Sequence, residues 1–342
     1  MTDIRSRILG CLLGGAAGDA LGYAVEFDRW RSIEKASGPC GIQEYALSGG
    51  LAVISDDTQM TLFTAEGLVE AVDTGKSADR CMYQAYLDWL DTQERSRRGK
   101  RIGWLMSCEA LWYRRAPGIT CLNALQSGRM GSKTELINRS KGCGAVMRSA
   151  PCGFAPPSLA PAGTAADDTA AELGAECGLI THCHPLGWLS AALLSDIVYR
   201  IAYCGEPSVD SAVRGSLATL RRLWGSEPEL AVLDRLCLKA LDLVGQDLPD
   251  RECLNILGEG WIGEEAIAVA IFCAARHQDD FDACLRAAVN HSGDSDSTGA
   301  IAGNILGAFL GASALDSRWV EPLDAREALF RTADELSRVA RR

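Results

Sequence analysis

The segment that decides the fold reads Gly10-Cys-Leu-Leu-Gly-Gly-Ala-Ala-Gly-Asp-Ala-Leu-Gly-Tyr-Ala-Val-Glu26, a run of small and apolar residues with one acid, Asp19, in its interior. Arg5 and Arg7 precede it, so this start of the chain superficially resembles a signal peptide or a short membrane span. The internal acid and the recurring glycines argue against both, and no later segment reaches membrane-spanning length. We therefore predict that residues 8–25 form the first core helix of a cytoplasmic protein with no membrane span.

Helical periodicity continues along most of the chain, with apolar residues at i, i+3 and i+4. Hydrophobic residues make up 47% of the sequence, which is enough for a sizeable core, and β-branched and aromatic residues are sparse. We predict an all-α fold, one compact domain over residues 1–342. Residues 42–54 hold at most a short hairpin, and residues 151–168 form an exposed loop that leads into a helix. The predicted helices are residues 58–72, 78–90, 186–202, 209–223, 229–244, 264–275 and 298–312.

Charge and cysteine content exclude several classes of protein. The net charge of −11 argues against a general nucleic-acid binder, because phosphate contacts need clustered Lys and Arg. One basic run, between residues 95 and 101, indicates a solvated helix end or loop, with an acidic partner as the alternative. The 14 cysteines are scattered without a C-x-x-C pair, so we expect reduced, mostly buried thiols. With four histidines and no Cys/His cluster at ligand spacing, zinc is not expected.

Two similar acidic clusters each stand at the start of a predicted helix, Ser55-Asp-Asp57 and Asp294-Ser-Asp-Ser297. Helix capping explains one or two such residues, because Ser and Asp are favoured N-caps and acids suit the positive end of the helix dipole. Each cluster, however, holds two carboxylates and at least one hydroxyl. Four carboxylates in one place would raise one another's pKa unless a cation compensated, and oxygen ligands select Mg²⁺, Mn²⁺ or Ca²⁺. Two ions about 3.5–4 Å apart would fit such a site if the clusters met, which the residues alone leave open.

Five motifs of this sequence resemble those of the ADP-ribosylglycohydrolases, the group that includes dinitrogenase reductase-activating glycohydrolase and the ADP-ribosylarginine hydrolases. They occur in the family's order and, with a similar segment at residues 260–266, span residues 8–312. The resemblance implies an orthogonal helical bundle with two Mg²⁺ ions, or Mn²⁺, in a central cleft. It also implies an ADP-ribosylated protein as substrate and ADP-ribose as product. The motifs are residues 10–26, Ser55-Asp-Asp-Thr-Gln-Met60, Gly142-Cys-Gly-Ala-Val-Met-Arg148, Thr181-His-Cys-His-Pro185 and Gly293-Asp-Ser-Asp-Ser297.

The same resemblance assigns roles to individual residues. Glu26 becomes the candidate general acid or base, although by itself it would be interpreted as an exposed surface glutamate. Asp57 shares in catalysis as well as in metal binding. Asp19 is expected to have a structural or supporting role for a different reason, namely that it lies within the apolar face of the first helix. The implied metal ligands are Ser55, Asp56, Asp57, Asp294, Asp296 and Ser297. The implied substrate-binding residues are Lys141, Gly142, Cys143, Gly144, Ala145, His182 and Trp261.

Each substrate-binding residue also has a purely structural interpretation. Glycines let backbone N–H groups approach phosphate oxygens, but a G-x-G sequence is most often just a turn. Many members of the family have Asn or Ser where this chain has Cys143, so the side-chain hydrogen bond of that loop is lost here. By resemblance His182 donates a hydrogen bond to the ribose or diphosphate, and Trp261 stacks on the adenine; both are otherwise core residues. His291 is expected to support the second cluster from outside the metal ligands.

The expected activity is hydrolysis of the bond between ADP-ribose and a modified side chain, with arginine as the expected residue, through an oxocarbenium-like transition state. Three alternatives stay open. The same fold could act on serine-linked, nucleic-acid-linked or small-molecule ADP-ribose. The chain could be a non-catalytic binding protein on this scaffold, although all six implied ligand positions carry oxygen side chains. It could also serve as the antidote to an ADP-ribosylating toxin.

Overall fold

The protein, represented by a computed structural model, is described over residues 3–94 and 103–340. Regular structure in these residues is helical, and their only β-type pairings are isolated bridges such as Ser48 with Leu51. The all-α prediction is confirmed, whereas the basic run of residues 95–101 lies outside the described residues. The α-helices are α1 (Ile4–Tyr23), α2 (Trp30–Ser37), α3 (Asp56–Thr74), α4 (Ala78–Glu94), α5 (Ile119–Gln126), α6 (Thr169–Leu179), α7 (Pro185–Tyr199), α8 (Val209–Trp224), α9 (Leu230–Val244), α10 (Asp250–Leu257), α11 (Gly263–Arg276), α12 (Phe281–Val289), α13 (Ser295–Leu310), α14 (Ser317–Val320) and α15 (Arg326–Val339).

Helices α1 and α13 form the most extensive helix pair of the described chain. Their contact face consists largely of glycines, because a Cβ at Gly14 would overlap the Gly303 carbonyl and one at Gly18 would overlap the Gly299 carbonyl. Only residues without a Cβ let two helix backbones come so close. The pairing is antiparallel, so the C-terminal end of α1 lies beside the N-terminal end of α13. The facing pairs are Gly10 with Gly307, Gly14 with Gly303, Gly18 with Gly299, and Gly22 with Ser295.

The remaining helices bury this pair. Helix α11 is buried along residues 266–274 and packs against α13, α9 and α7. Helix α3 lies between α4 and α15, and α6 packs against α7. This arrangement leaves the first turns of α3 and α13 side by side at one end of the core, where both carry acidic residues.

Two local predictions need correction or refinement. The segment of residues 151–168 is not an exposed loop throughout, because Ala150–Phe154 forms a buried 3₁₀ turn. Phe154 has no exposed surface, so its ring supplies the apolar contact that outweighs the loop-forming composition. The helix predicted for residues 186–202 ends its α-helical part at Tyr199 and continues as a π-helical turn, Arg200–Cys204.

Candidate active site

A buried carboxylate of α1 fixes the start of α3. Asp19 Oδ1 accepts the Ser55 N–H at 2.9 Å, and Asp19 Oδ2 accepts the Thr58 N–H at 3.0 Å and the Thr58 hydroxyl. Ser55 is the N-cap, because its Oγ accepts the Asp57 N–H at 3.2 Å. These bonds satisfy N–H groups that the first turn of a helix leaves unpaired. Asp19 therefore supports the first acidic cluster from behind.

The two acidic clusters meet at one cavity of about 380 Å³. Carboxylate oxygens of Glu26, Asp294 and Asp296 lie within 4.8 Å of one another. Asp57 of α3 and Ser297 of α13 line the same cavity, so both helix starts contribute to it. The convergence that the sequence left open is therefore present in the structure.

Burial raises the pKa of every carboxyl group in this cluster, and repulsion by neighbouring carboxylates adds to the effect at Glu26, Asp56, Asp57 and Asp296. Burial, reinforced by the charges of Asp294 and Asp56, raises the pKa of Glu26 to about 8. Burial also raises the pKa of Asp56 to about 8, although the Gly118 N–H opposes the shift. Burial raises the pKa of Asp57 well above its usual range, and the charge of Asp56 adds to the effect. Protein groups alone do not compensate these charges.

A divalent cation would supply the positive charge that the carboxylate cluster lacks. Glu26 Oε2 and Asp57 Oδ2 are buried without a hydrogen-bond partner in the described chain. Such atoms are rare in folded proteins and indicate a missing ligand or water. The donors are carboxylate and hydroxyl oxygens, which suit Mg²⁺, Mn²⁺ or Ca²⁺ and do not distinguish them. The same residues also cap their helices: the Asp294 side chain accepts the Ser297 N–H at the start of α13. Helix capping and ion binding are therefore compatible at this site.

A backbone clamp brings the glycine loop to the cavity. The N–H of Cys143 donates to the Trp261 carbonyl at 3.2 Å, and the Gly263 N–H donates to the Lys141 carbonyl at 2.8 Å. The Asp294 N–H donates to the Glu259 carbonyl at 2.8 Å. The segment of residues 259–263 is therefore hydrogen-bonded to both the glycine loop and the second acidic cluster.

Aromatic rings stand at the mouth of the cavity. Trp261 is 38% exposed and Phe27 is 74% exposed, and the two rings stack with centroids 5.9 Å apart. Both residues line the cavity, so Trp261 is not a core residue. Large exposed rings beside a polar cavity are typical of a surface that stacks on a planar ligand group.

Other predicted residues lie at or behind the cavity wall. His182 lines the cavity and is buried, whereas Cys143 is half-buried and its thiol donates to Asp294 Oδ2 at 2.7 Å. His291 supports the second cluster indirectly, with Nε2 2.9 Å from the Thr298 hydroxyl. His184 lies further out and caps α7 through Nδ1.

Three predicted site residues do not line the cavity in the described structure. The Ser55 hydroxyl caps α3, Lys141 forms an ion pair with Glu264, and Ala145 is fully buried in the 3₁₀ turn Cys143–Arg148. Metal ligation by Ser55 and substrate binding by Lys141 and Ala145 stay predictions.

Sequence reasoning missed one wall of the cavity, formed by residues 116–121 and by Phe27. In this wall the Gly118 N–H donates to Asp56 Oδ2 at 3.1 Å and so orients that carboxylate. The available signal was Pro117-Gly118, which marks a turn but carries no chemistry by itself.

Comparison with known proteins identifies the family. A family model described as ADP-ribosylglycohydrolase matches residues 1–342. The chain belongs to the ADP-ribosylglycohydrolase family. It is 26% identical to the ADP-ribosyl-[dinitrogen reductase] glycohydrolase of Rhodospirillum rubrum, over 95% of this chain and 92% of that protein. It is 28% identical to the uncharacterized protein YegU of Escherichia coli (strain K12), over 93% and 92% of the two chains.

A solved structure shares the fold of this chain. The structure is titled ADP-ribosylglycohydrolase-related protein complex and matches 99% of this chain and 100% of its own with a TM-score of 0.60 and 23% identity. Family membership indicates a hydrolase of the ADP-ribosylglycohydrolase class, and the acidic cluster agrees with the metal use of that class. Among residues 3–94 and 103–340, no helix is both long and apolar enough to span a membrane.

Proposed function

We propose that this protein hydrolyses the bond between ADP-ribose and a modified arginine side chain of a protein. The observation that carries the proposal is the convergence of Glu26 with both acidic clusters on one cavity, in a chain of this family. The glycine loop and His182 lie on the same cavity, within reach of a ligand that extends from the carboxylates to the aromatic mouth. ADP-ribose is elongated in this way, with ribose, diphosphate and adenine in series.

The ligands for a pair of Mg²⁺ ions, with Mn²⁺ as the alternative, would come from both helix starts. A bound metal pair supplies orientation of ribose hydroxyls and activation of a water molecule. The buried carboxylates offset positive charge that develops on the ribose as the bond to the side chain breaks. The proposed ligands are Ser55, Asp56, Asp57, Asp294, Asp296 and Ser297.

The protein's own groups position the substrate and move the proton. Glu26 faces the cavity with one oxygen free of protein hydrogen bonds, so it can exchange a proton with the leaving nitrogen or the attacking water. Gly142 and Gly144 let diphosphate oxygens approach the backbone, and the rings of Trp261 and Phe27 provide a stacking surface for adenine.

Release of ADP-ribose from defined conjugates tests the proposal. Purified protein is incubated with arginine-linked and serine-linked ADP-ribosyl peptides and an ADP-ribosylated oligonucleotide, with Mg²⁺ or with a chelator. We expect Mg²⁺-dependent release, fastest from the arginine-linked peptide. Fastest release from another conjugate would keep the activity but refute the arginine linkage. ADP-ribose binding without release from any conjugate would favour the non-catalytic alternative.

The cellular setting is part of the proposal. All 14 cysteines are free thiols and most are buried, which suits a reducing compartment such as the cytoplasm. The modified protein is the expected partner, and reversal of a toxin's ADP-ribosylation would use the same chemistry. Recovery of cells that express an arginine-specific ADP-ribosylating toxin, with and without active protein, tests the antidote role.

A further inference from the structure

A chain of two buried hydrogen bonds lies behind His182. His182 Nδ1 is 2.8 Å from Thr181 Oγ1, and the Arg148 guanidinium donates to the same Thr181 oxygen at 2.7 Å. Arg148 and Thr181 have no exposed surface. The other ring nitrogen, Nε2, faces the glycine loop, where a Cβ at Gly142 or Gly144 would lie 3.5 or 3.4 Å from it.

The direction of the hydrogen bonds follows from Arg148, which can only donate. Because the Thr181 oxygen accepts from the guanidinium, its own proton is left for His182 Nδ1. The positive charge also polarises the hydroxyl and makes it a stronger donor. With the proton on Nδ1 instead, the Thr181 oxygen would accept from both the imidazole and the guanidinium, and its own proton would lose the imidazole nitrogen as an acceptor.

The guanidinium itself is held in place on several sides. It donates to the Cys177 carbonyl at 2.9 Å and lies over the Tyr86 ring, 4.3 Å from the centroid. A fixed cation behind Thr181 also disfavours a second positive charge on the imidazole. Burial and the charge of Arg148 lower the pKa of His182 to about 3, so the ring is neutral at physiological pH.

We infer that Thr181 and Arg148 are positioning residues that fix His182 as the Nε2–H tautomer, a hydrogen-bond donor to the bound ligand and not a proton acceptor. Nε2–H forms no hydrogen bond within the described protein and lies at the cavity wall, so its donor capacity is available to ligand oxygens. The identity of that ligand, ADP-ribose, rests on the proposed function; the tautomer does not.

Nitrogen-15 NMR of the full-length protein labelled at histidine tests the tautomer directly. The sequence has four histidines, and the His182 signals are those missing from His182→Asn. We expect a pyrrole-type Nε2 and a pyridine-type Nδ1 in the wild type and in Thr181→Ser, and a mixture of tautomers in Thr181→Val. A wild-type spectrum with the proton on Nδ1 would overturn the inference, whatever the variants do.

Binding of ADP-ribose, measured by calorimetry, tests the consequence. Thr181→Val should weaken binding about twofold, because only part of the imidazole population then carries the proton on Nε2, and Thr181→Ser should bind like the wild type. Thr332→Val is the matched control, because Thr332 is buried and its hydroxyl has no partner in the described chain. Equal losses in Thr181→Val and Thr332→Val would contradict the inference. If the wild type does not bind ADP-ribose, the proposed function fails while the NMR result still decides the tautomer.

Discussion

The starts of α3 and α13 present similar residues to the same cavity but are supported in different ways. At α3, the buried carboxylate of Asp19 accepts the N–H groups of Ser55 and Thr58. At α13, neutral groups hold the first turn in place. His291 Nε2 is hydrogen-bonded to the Thr298 hydroxyl, which donates to the Asp294 carbonyl at 2.8 Å. A charge-supported end adds negative charge to a crowded acidic site, whereas a neutral one does not. We therefore expect the two ends to contribute equally to catalysis but unequally to stability.

Turnover should fall steeply, and by the same factor, when either end loses a carboxylate. Asp57→Asn on α3 and Asp296→Asn on α13 should each lower kcat by about a thousandfold, because each removes a buried charge that faces the cavity. The folded state should persist, since each change relieves repulsion between carboxylates. Activity assays with circular dichroism check both points, and Asp279→Asn, an exposed carboxylate, is the control. Near-normal turnover in either variant would exclude a catalytic or metal-binding role for that residue.

Stability should separate the two ends. Asp19→Asn should lower the free energy of unfolding by about 3 kcal/mol, because the amide accepts fewer of the N–H bonds and turns an NH₂ toward other donors. Thr298→Val should cost only about 1.5 kcal/mol, the scale of a lost neutral hydrogen bond. Urea denaturation without divalent cations gives both values. Equal losses would mean that charge at Asp19 adds nothing to the support of α3.

Divalent cations should stabilise the protein through both ends together. At a Mg²⁺ concentration of about a hundred times its Kd, the free energy of unfolding should rise by about 2.7 kcal/mol relative to chelator. Asp57→Asn and Asp296→Asn should each lose most of this gain, because the cluster binds as one unit. A full gain in either variant would show that the cation does not bridge the two helices.

The stability of the metal-free protein should also depend on pH. The pKa values of Glu26 and Asp56 are raised to about 8 in the folded state, from ordinary values of 4.5 and 3.8. The folded state therefore binds protons more tightly than the unfolded state between these limits. Stability from these two groups is fully present below about pH 4 and falls as the pH rises toward 8. Thermal melts in chelator should show this decline, and Mg²⁺ should reduce it; a rising melting temperature over pH 6–8 in Asp19→Asn and wild type alike would contradict it.

Much of the fold was predictable because it depends on local periodicity. The predicted helix at residues 58–72 corresponds to Asp56–Thr74, and the one at residues 298–312 to Ser295–Leu310. Buried Phe154 was mispredicted because Pro and Gly around it suggest a loop, whereas its burial depends on tertiary contacts. That residues 1–342 form one domain stays a prediction.

The residues of the site could be predicted from the sequence, but the residues alone did not show that the two acidic clusters meet in space. Asp57 and Asp296 were assigned to one site by resemblance, since no local pattern brings residues so far apart in the chain together. The matched four-residue spacing of glycines in α1 and α13 was the missed signal for that convergence. The sequence of residues 116–121 gives no sign of the cavity wall that they form, because the contact with Asp56 is made by the backbone N–H of Gly118 and not by a side chain.

The glycine contact between α1 and α13 makes the spacing of the acidic groups a property of two main chains. A single methyl group at Gly14 would meet the Gly303 carbonyl and push the helices apart, although Gly14 lies more than two turns of helix before the end of α1, which Glu26 follows. Inactive variants of this protein should therefore include glycine substitutions remote from the cavity, with every acidic residue intact.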